Sequence, residues 1–254
     1  MLRNIVLKLI KGFFKFWGLE ILIQTKSNKP VGSMVELLND LQNRGINVVT
    51  IFDVGAHKGE WTKMVKSIFP HACIWMFEPQ IEMIGHLRKV LNKYPDVRLI
   101  QKGVGAQIDK LIFTIWDDFA GSSFLPNKND ILLQSGKQRE IDIVTLDGVL
   151  ENPEIQIPEI VKLDIQGFEL EALKGANRLF GKTEVFILEV ALYPFEDMPN
   201  IPTFIEVVNF MYNRGYVVYD FGGFLRRPFD NSLGQCDICF VKIDGFFKTS
   251  NQWN

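Results

Sequence analysis

The chain has 254 residues, 47% hydrophobic and 12% aromatic, enough for a substantial core and too apolar for a disordered chain. Its formal net charge of −2 and pI near 6.0 argue against a nucleic-acid binder with a generally basic surface. Three cysteines are too few, and odd in number, for a disulfide framework, and they fit a reducing, cytoplasmic compartment.

The first segment, MLRNIVLKLIKGFFKFWGLEILI, is interrupted by Arg3, Lys8, Lys11 and Lys15, so it lacks the ~20 apolar residues of a membrane span. It also lacks the small-residue cleavage site of a secretory signal. On a helical projection Leu2, Ile5, Val6, Leu9, Ile10, Phe13, Phe16 and Trp17 share one arc. Asn4, Lys8, Lys11 and Lys15 lie opposite, with Arg3 near the boundary. Such a basic amphipathic pattern has two readings: a segment lying in the interface of the inner membrane face, or a helix packed on the domain or at an oligomer seam.

After a linker around Ser27 to Gly32, SMVELLNDLQNRG predicts a helix, apolar at Met34, Val35, Leu37, Leu38 and Leu41 and ended by Gly45. Residues 1–45 are therefore expected to carry the amphipathic and lead-in helices, and residues 46–254 one domain. NVVTIFDV is a near-continuous apolar strand, of the kind buried on both faces of a parallel sheet. A helix over Trp61 to Phe69, a strand ACIWMFE, a helix from about Ile81 to Leu91 and strands VRLIQK and LIFTIW follow. Asp117 to Lys137 is polar and rich in Gly, Ser and Asn, a long loop of the sort that covers a site. EIDIVTL is strand-like, and IPEIVKLDI is a buried strand ending in an acid. GFELEALKGANRLF reads as a helix, VFILEV as a strand and ALYPFEDMPNIP as a Pro-broken loop. Helix FIEVVNFMYNRG and strands YVVYDF and CDICFVK close the chain. This alternation predicts a doubly wound α/β domain with a mostly parallel sheet. No helical pattern joins the last two strands, so they are expected to be antiparallel. Cys236 and Cys239 fall inside the final strand and read as core residues rather than a metal or redox pair.

Ligands of such sheets bind beyond the carboxyl ends of the strands, at the switch in strand order. The first strand ends in Asp53, Gly55, Ala56, His57, Lys58 and Gly59, the second in Glu78 and Pro79, and the third in Gln101 to Gly105. Asp164 ends a fourth, Glu169 lies on the helix that follows it, and Glu189 ends a fifth. The turn DVGAHKG matches neither the phosphate-binding G-x-x-x-x-G-K-[ST] nor the dinucleotide G-x-G-x-x-G. D-x-G-x-x-x-G suits a turn passing under the methionine part of S-adenosylmethionine, where an acid favours the cofactor's amino group and would repel a pyrophosphate. Glu78 lies at the interval where an acid accepts both hydroxyls of a ribose.

VKLDIQGFELEALKGA, with the preceding IVTLDGVL and the later LEV, resembles the FkbM family of S-adenosylmethionine-dependent methyltransferases, over about Ile51 to Val190. The resemblance implies a class I Rossmann-like doubly wound fold, mostly parallel with an antiparallel last strand. It also implies methyl transfer to oxygen, commonly a hydroxyl of a saccharide, glycan or natural product. By position it implies that Asp53, Gly55, Gly59 and Glu78 hold the cofactor, with Asp164 at the junction with the acceptor. Ala56, His57, Pro79 and Gly103 complete the candidate cofactor set. Many members carry a glutamate where this chain has Gln166, so a base at that position is absent here. Asp164, Glu169, Glu189 and His57 are left as catalytic candidates. The three acids could also converge on a divalent cation and lower a hydroxyl's pKa, although no metal ligand is assigned. Ser122 and Ser123 are loop candidates, whereas His71 and His86 read as surface. Two alternatives remain: a cofactor-binding protein without turnover, kept open by Gln166, and an NAD-dependent oxidoreductase, disfavoured by the missing glycine and the antiparallel finish.

Vesicle sedimentation of the full chain and of a chain lacking residues 1–25 tests the interfacial reading. Loss of anionic-vesicle binding on deletion is expected, and unchanged binding removes that reading.

Overall fold

In a computed structural model of the chain, residues 30–196, 198–250 and 252 are described, and the amphipathic stretch read over residues 1–25 lies outside them. The compact unit begins at Gly32. Among the described residues no helix is long and apolar enough to cross a membrane.

The lead-in helix α1 (Met34–Asn43) starts where the Ser33 side chain accepts the Glu36 amide. Its Leu37, Leu38 and Leu41 are buried in the core, and its Asp40 accepts a 2.6 Å hydrogen bond from the Tyr219 hydroxyl. Strand β1 (Thr50–Val54) is buried at every residue. Helix α2 (Glu60–Ile68), strand β2 (Cys73–Phe77), a short 3-10 turn running into helix α3 (Ile84–Lys93), and strand β3 (Val97–Ile100) follow. After the small strands β4 (Gly103–Val104), β5 (Asp109–Thr114) and β6 (Gln138–Val144), with helix α4 (Asp130–Gln134) between the last two, comes helix α5 (Leu146–Val149). Strand β7 (Ile160–Leu163), helix α6 (Glu169–Lys174), strand β8 (Val185–Ala191), helix α7 (Phe204–Tyr212) and strands β9 (Tyr216–Arg226) and β10 (Leu233–Lys242) complete the order.

Seven strands form one sheet in the order β3-β2-β1-β7-β8-β10-β9. All neighbours are parallel except β10, which runs antiparallel to both β8 and β9. This is the mostly parallel sheet with an antiparallel last strand expected from the sequence. Each face carries its own core. Phe52, Val54, Phe77, Leu163 and Leu188 pack with Leu146, Leu173 and Met211 on one side. Ile51, Ile74, Met76 and Ile187 pack with Leu38, Val65 and Leu87 on the other. The chain winds outward from β1 to β3, then returns to the other side of β1 as β7, so the switch in strand order lies between β1 and β7.

Three elements differ from expectation. LIFTIW and EIDIVTL do not join the main sheet: β5 and β6 pair antiparallel with each other, and β4 pairs with β6, as a separate three-stranded sheet. The cause is visible in Arg139, Glu140 and Asp142, which leave β6 solvated along much of its length rather than buried on both faces. The segment after β5 is more than a loop, because the Asn129 side chain caps α4 by accepting the Ile131 and Leu132 amides. Helix α6 ends at Lys174, well short of Phe180. At Gly175 the chain passes so close to the Gly105 carbonyl that any side chain would overlap it.

Cys236 and Cys239 are both buried in β10 and both free, one in each core, on opposite faces of the sheet. A strand places residues three apart on opposite faces, so this C-x-x-C cannot clamp a shared metal.

Tyr216 anchors the start of β9, with its buried hydroxyl donating to the Thr183 carbonyl at 2.7 Å and accepting the Gly181 amide at 3.1 Å. Tyr216→Phe leaves two backbone groups unpaired and is expected to cost about 1–3 kcal/mol. Urea unfolding of the two proteins checks this; equal stabilities would refute it.

Candidate active site

The turn after β1 is built for close approach. Gly55 has φ 82°, and a Cβ there would overlap the carbonyl oxygen of Asp164 at the end of β7. The Gly55 and Ala56 amides both donate to the Phe77 carbonyl, at 2.9 and 3.1 Å, tying the turn to the end of β2. His57 follows at φ 47°, and Gly59, at φ 76°, starts α2. A second strained turn faces this one after β7, where Gln166 has φ 56° and Gly167 φ 94°. Non-glycine residues in the left-handed region cost energy and cluster at functional sites.

Glu78 joins the first two loops. It is 2% exposed, accepting the His57 amide on Oε2 at 2.7 Å and the Gln80 amide on Oε1 at 2.9 Å. Burial pushes its carboxyl up to about 7, against the pull of those two amides. Between the turns opens a cleft of about 210 Å3 that is continuous with solvent. Gly55, His57, Glu78, Pro79 and Gly103 line it, with Asp164, Gln166 and Glu189. The wall beyond β3 comes from Lys102, Val104 and Phe113, and from Ala120, Ser122 and Phe124 of the polar segment. That segment is clamped to the second turn, since the buried Ser123 hydroxyl donates to the Gln166 carbonyl at 2.8 Å and accepts the Leu125 amide at 3.1 Å. On the other side the Gln80 side-chain amide donates to the Phe119 carbonyl at 3.1 Å.

The acids end in different surroundings. Asp164 accepts from the Lys162 ammonium at 3.1 Å and from the Gln166 side-chain amide at 2.9 Å. Burial alone would raise its pKa, but Lys162 outweighs it and holds the carboxyl below its usual range. Glu189 accepts from the same Gln166 nitrogen at 2.6 Å. Burial, then the charges of Asp164 and Glu169, push it well above the ordinary glutamate value. The two carboxyls are therefore shifted in opposite directions, the aspartate's down and the glutamate's up, and one amide bridges them. Asp237 on β10 lies opposite Glu189 in register, and burial raises it to about 6.

Other expected residues lie outside the cleft lining. Asp53 is 0% exposed; it accepts the Thr62 hydroxyl at 2.6 Å and lies 3.6 Å from the Lys162 ammonium. Burial raises its pKa, with Lys162 pulling the other way. Glu169, also buried, accepts the Ile165 and Gly167 amides at 2.9 and 3.2 Å and so holds the second turn in shape; burial raises it to about 7. Ala56 and Gly59 shape the first turn from beneath. His57 does line the cleft: burial, then Lys58, lower its pKa, and its Nε2 is buried without a hydrogen-bond partner. His71 and His86 are exposed. Among the described residues, no three His, Cys, Asp or Glu side chains are grouped to hold a metal ion.

Lys162 was missed by the sequence reading, although a signal existed. A lysine in the middle of the apolar strand IVKLDI, two residues before an acid, points to the same face as that acid.

A family model described as the methyltransferase FkbM domain matches residues 53–218. A curated relative, Methyltransferase 1 of Beauveria bassiana (strain ARSEF 2860), is 24% identical over 144 residues, covering 50% of this chain and 58% of that protein. The chain thus spans less than two thirds of that relative's length. The crystal structure of Methyltransferase FkbM from Methylobacillus flagellatus KT is 18% identical and has a TM-score of 0.50. That match covers 82% of this chain and 48% of the other, and it shows a shared fold.

Glu78 makes stability depend on pH. A buried acid whose pKa is raised to about 7 stabilises the fold fully below its unfolded value, and that contribution is lost as pH rises towards 7. Relative to Glu78→Gln, the wild type is expected to lose up to about 1.4 kcal/mol per pH unit across that window. Urea unfolding at several pH values checks this, and parallel curves would refute it.

Proposed function

The chain belongs to the FkbM methyltransferase family, and from that premise we propose that the cleft between β1 and β7 binds S-adenosylmethionine and transfers its methyl group to an acceptor hydroxyl. The observation that carries this reading is one cleft lined by the side-chain-free turn at Gly55, the buried acid Glu78 and the ionised Asp164. A turn without a Cβ admits the methionine part of the cofactor against the backbone. Glu78 keeps unused lone pairs for the ribose hydroxyls. The negative charge of Asp164 suits the cofactor's amino group or an acceptor hydroxyl. Gly103 and Pro79 extend the same wall.

When bound, S-adenosylmethionine would be held by Gly55, Glu78 and Asp164 and would supply an electrophilic methyl group to the acceptor oxygen. The acceptor's hydroxyl proton must then go to a group on the protein. Asp164 is placed to take it, since it lines the cleft and its carboxyl is held below the usual range; His57 also lines the cleft, but its Nε2 is buried. Glu189, whose carboxyl is pushed up by burial and by the charges of Asp164 and Glu169, holds its proton more tightly than Asp164 does. Much of the rate comes from alignment of oxygen, methyl and sulfur. We take the acceptor to be a saccharide, glycan or natural-product hydroxyl, on the strength of the FkbM motif VKLDIQGFELEALKGA. The peripheral inner-membrane reading of residues 1–25 fits a lipid-linked form of such an acceptor.

A second reading, cofactor binding without turnover, is favoured by Gln166. Its amide bridges Asp164 and Glu189 and occupies lone pairs that a base would use.

Calorimetry with S-adenosylmethionine and turnover assays with hydroxyl acceptors separate the two. Glu78→Ala is expected to weaken cofactor binding about tenfold or more. Asp164→Asn is expected to weaken cofactor binding about tenfold and, at saturating cofactor, to lower turnover by about 10²-fold or more. Binding without methyl transfer to any hydroxyl acceptor favours the second reading, and no binding to a folded protein overturns both.

A further inference from the structure

Asp53 raises a physical problem. It is fully buried and does not line the cleft, yet a carboxylate so placed needs a counter-charge. Strand register supplies one, because Asp53 on β1 is paired with Lys162 on β7. The Lys162 side chain is only 7% exposed, and its ammonium lies 3.6 Å from Asp53, 3.1 Å from Asp164 and 5.6 Å from the Trp61 ring centroid. The groups facing this ammonium come from every neighbouring element. Asp53 is on β1, Trp61 on α2, Asp164 follows β7 and Asp237 is on β10, and His57 on the first turn feels the same charge. His57 on the first turn and Glu169 on α6 complete the electrostatic surroundings of Asp164. Acids outnumber cations here, and Lys162 is the buried cation among them.

We propose that Lys162 is a positioning residue: shared between Asp53 and Asp164, its ammonium keeps Asp164 charged and aimed into the cleft, and Asp53 serves the cleft through Lys162 rather than by touching a ligand. Asp53 in turn is held to α2 by the Thr62 hydroxyl, so the lysine ties the first turn's helix to the second turn's acid. Burial by itself would lower the lysine's pKa, but Asp164 and then Asp53 outweigh it and raise it, so the ammonium stays charged. The role of Asp164 in binding rests on the cofactor reading above; the charge arrangement itself does not.

The test uses the full-length chain and Lys162→Met, Lys162→Arg, Asp53→Asn and Asp164→Asn, with two measurements from about pH 5 to 8. The first is urea unfolding without ligand. Methionine fills the lysine's volume but leaves Asp53 and Asp164 uncompensated, so the deficit of Lys162→Met against the wild type is expected to grow as pH rises and these acids ionise. The second is calorimetry with S-adenosylmethionine. In Lys162→Met the acid limb of binding is expected to move up by about one pH unit or more relative to the wild type, whose profile already carries the titration of Glu78. Lys162→Arg, which keeps the charge, is expected to restore the wild-type profile. Asp53→Asn is expected to bind within about threefold of wild type, against a loss of about tenfold or more for Asp164→Asn. A Lys162→Met deficit that is constant with pH in unfolding overturns the proposal, as does an Asp53→Asn loss equal to that of Asp164→Asn. If the wild type binds no S-adenosylmethionine, the cofactor reading fails while the unfolding measurement still decides the role of Lys162.

Discussion

The backbone contact between Gly55 and the Asp164 carbonyl is the constraint on which the rest of the site depends. It exists because β1 and β7 are neighbours in the sheet although more than a hundred residues separate them in sequence. With the two strand ends this close, the turns that leave them must diverge at once. Both do so through left-handed residues, Gly55 and His57 on one side and Gln166 and Gly167 on the other. The space between the diverging turns is the cleft. Strain in the backbone at these positions is held by the amide bonds to Phe77 and by the carboxylates of Glu78 and Glu169.

Those two glutamates show how one residue type takes different work by placement. Glu78 and Glu169 each accept two backbone amides near a strand end, and burial raises both to about 7. Glu78 reaches the cleft and Glu169 does not. Asp164 and Glu189 differ in the opposite sense. They share one amide donor, but the lysine beside Asp164 pulls its proton affinity down while burial and neighbouring acids push that of Glu189 up.

Much of this was legible in the sequence because parallel strands buried on both faces read as unbroken apolar runs, and acids at their ends stand out. β1, β2, β7 and β8 were found this way, with Asp53, Glu78, Asp164 and Glu189 at or just beyond their ends. The antiparallel finish was legible from the absence of a helix between β9 and β10. The small sheet of β4, β5 and β6 was not: half-solvated strands carry a weaker pattern, and nothing local says which sheet they join. Lys162 went unread for a related reason: it stands inside the family motif, but its importance lies in a neighbour on another strand, Asp53, which the motif does not contain.

The sequence by itself determined the strand order's raw material, the family motif and the chemical types at each strand end, because these follow from local periodicity and residue identity. It could name Asp53, Glu78, Asp164, Glu169 and Glu189 as a set of acids, but could not divide them between cleft and core. Only the tertiary structure decided that Glu78, Asp164 and Glu189 face the cleft while Asp53 and Glu169 brace it from behind. The physical reason is that a carboxylate's role here is set by what lies across the sheet from it. Register places Lys162 beside Asp53 and Asp237 beside Glu189, and register is a property of paired strands rather than of either strand alone.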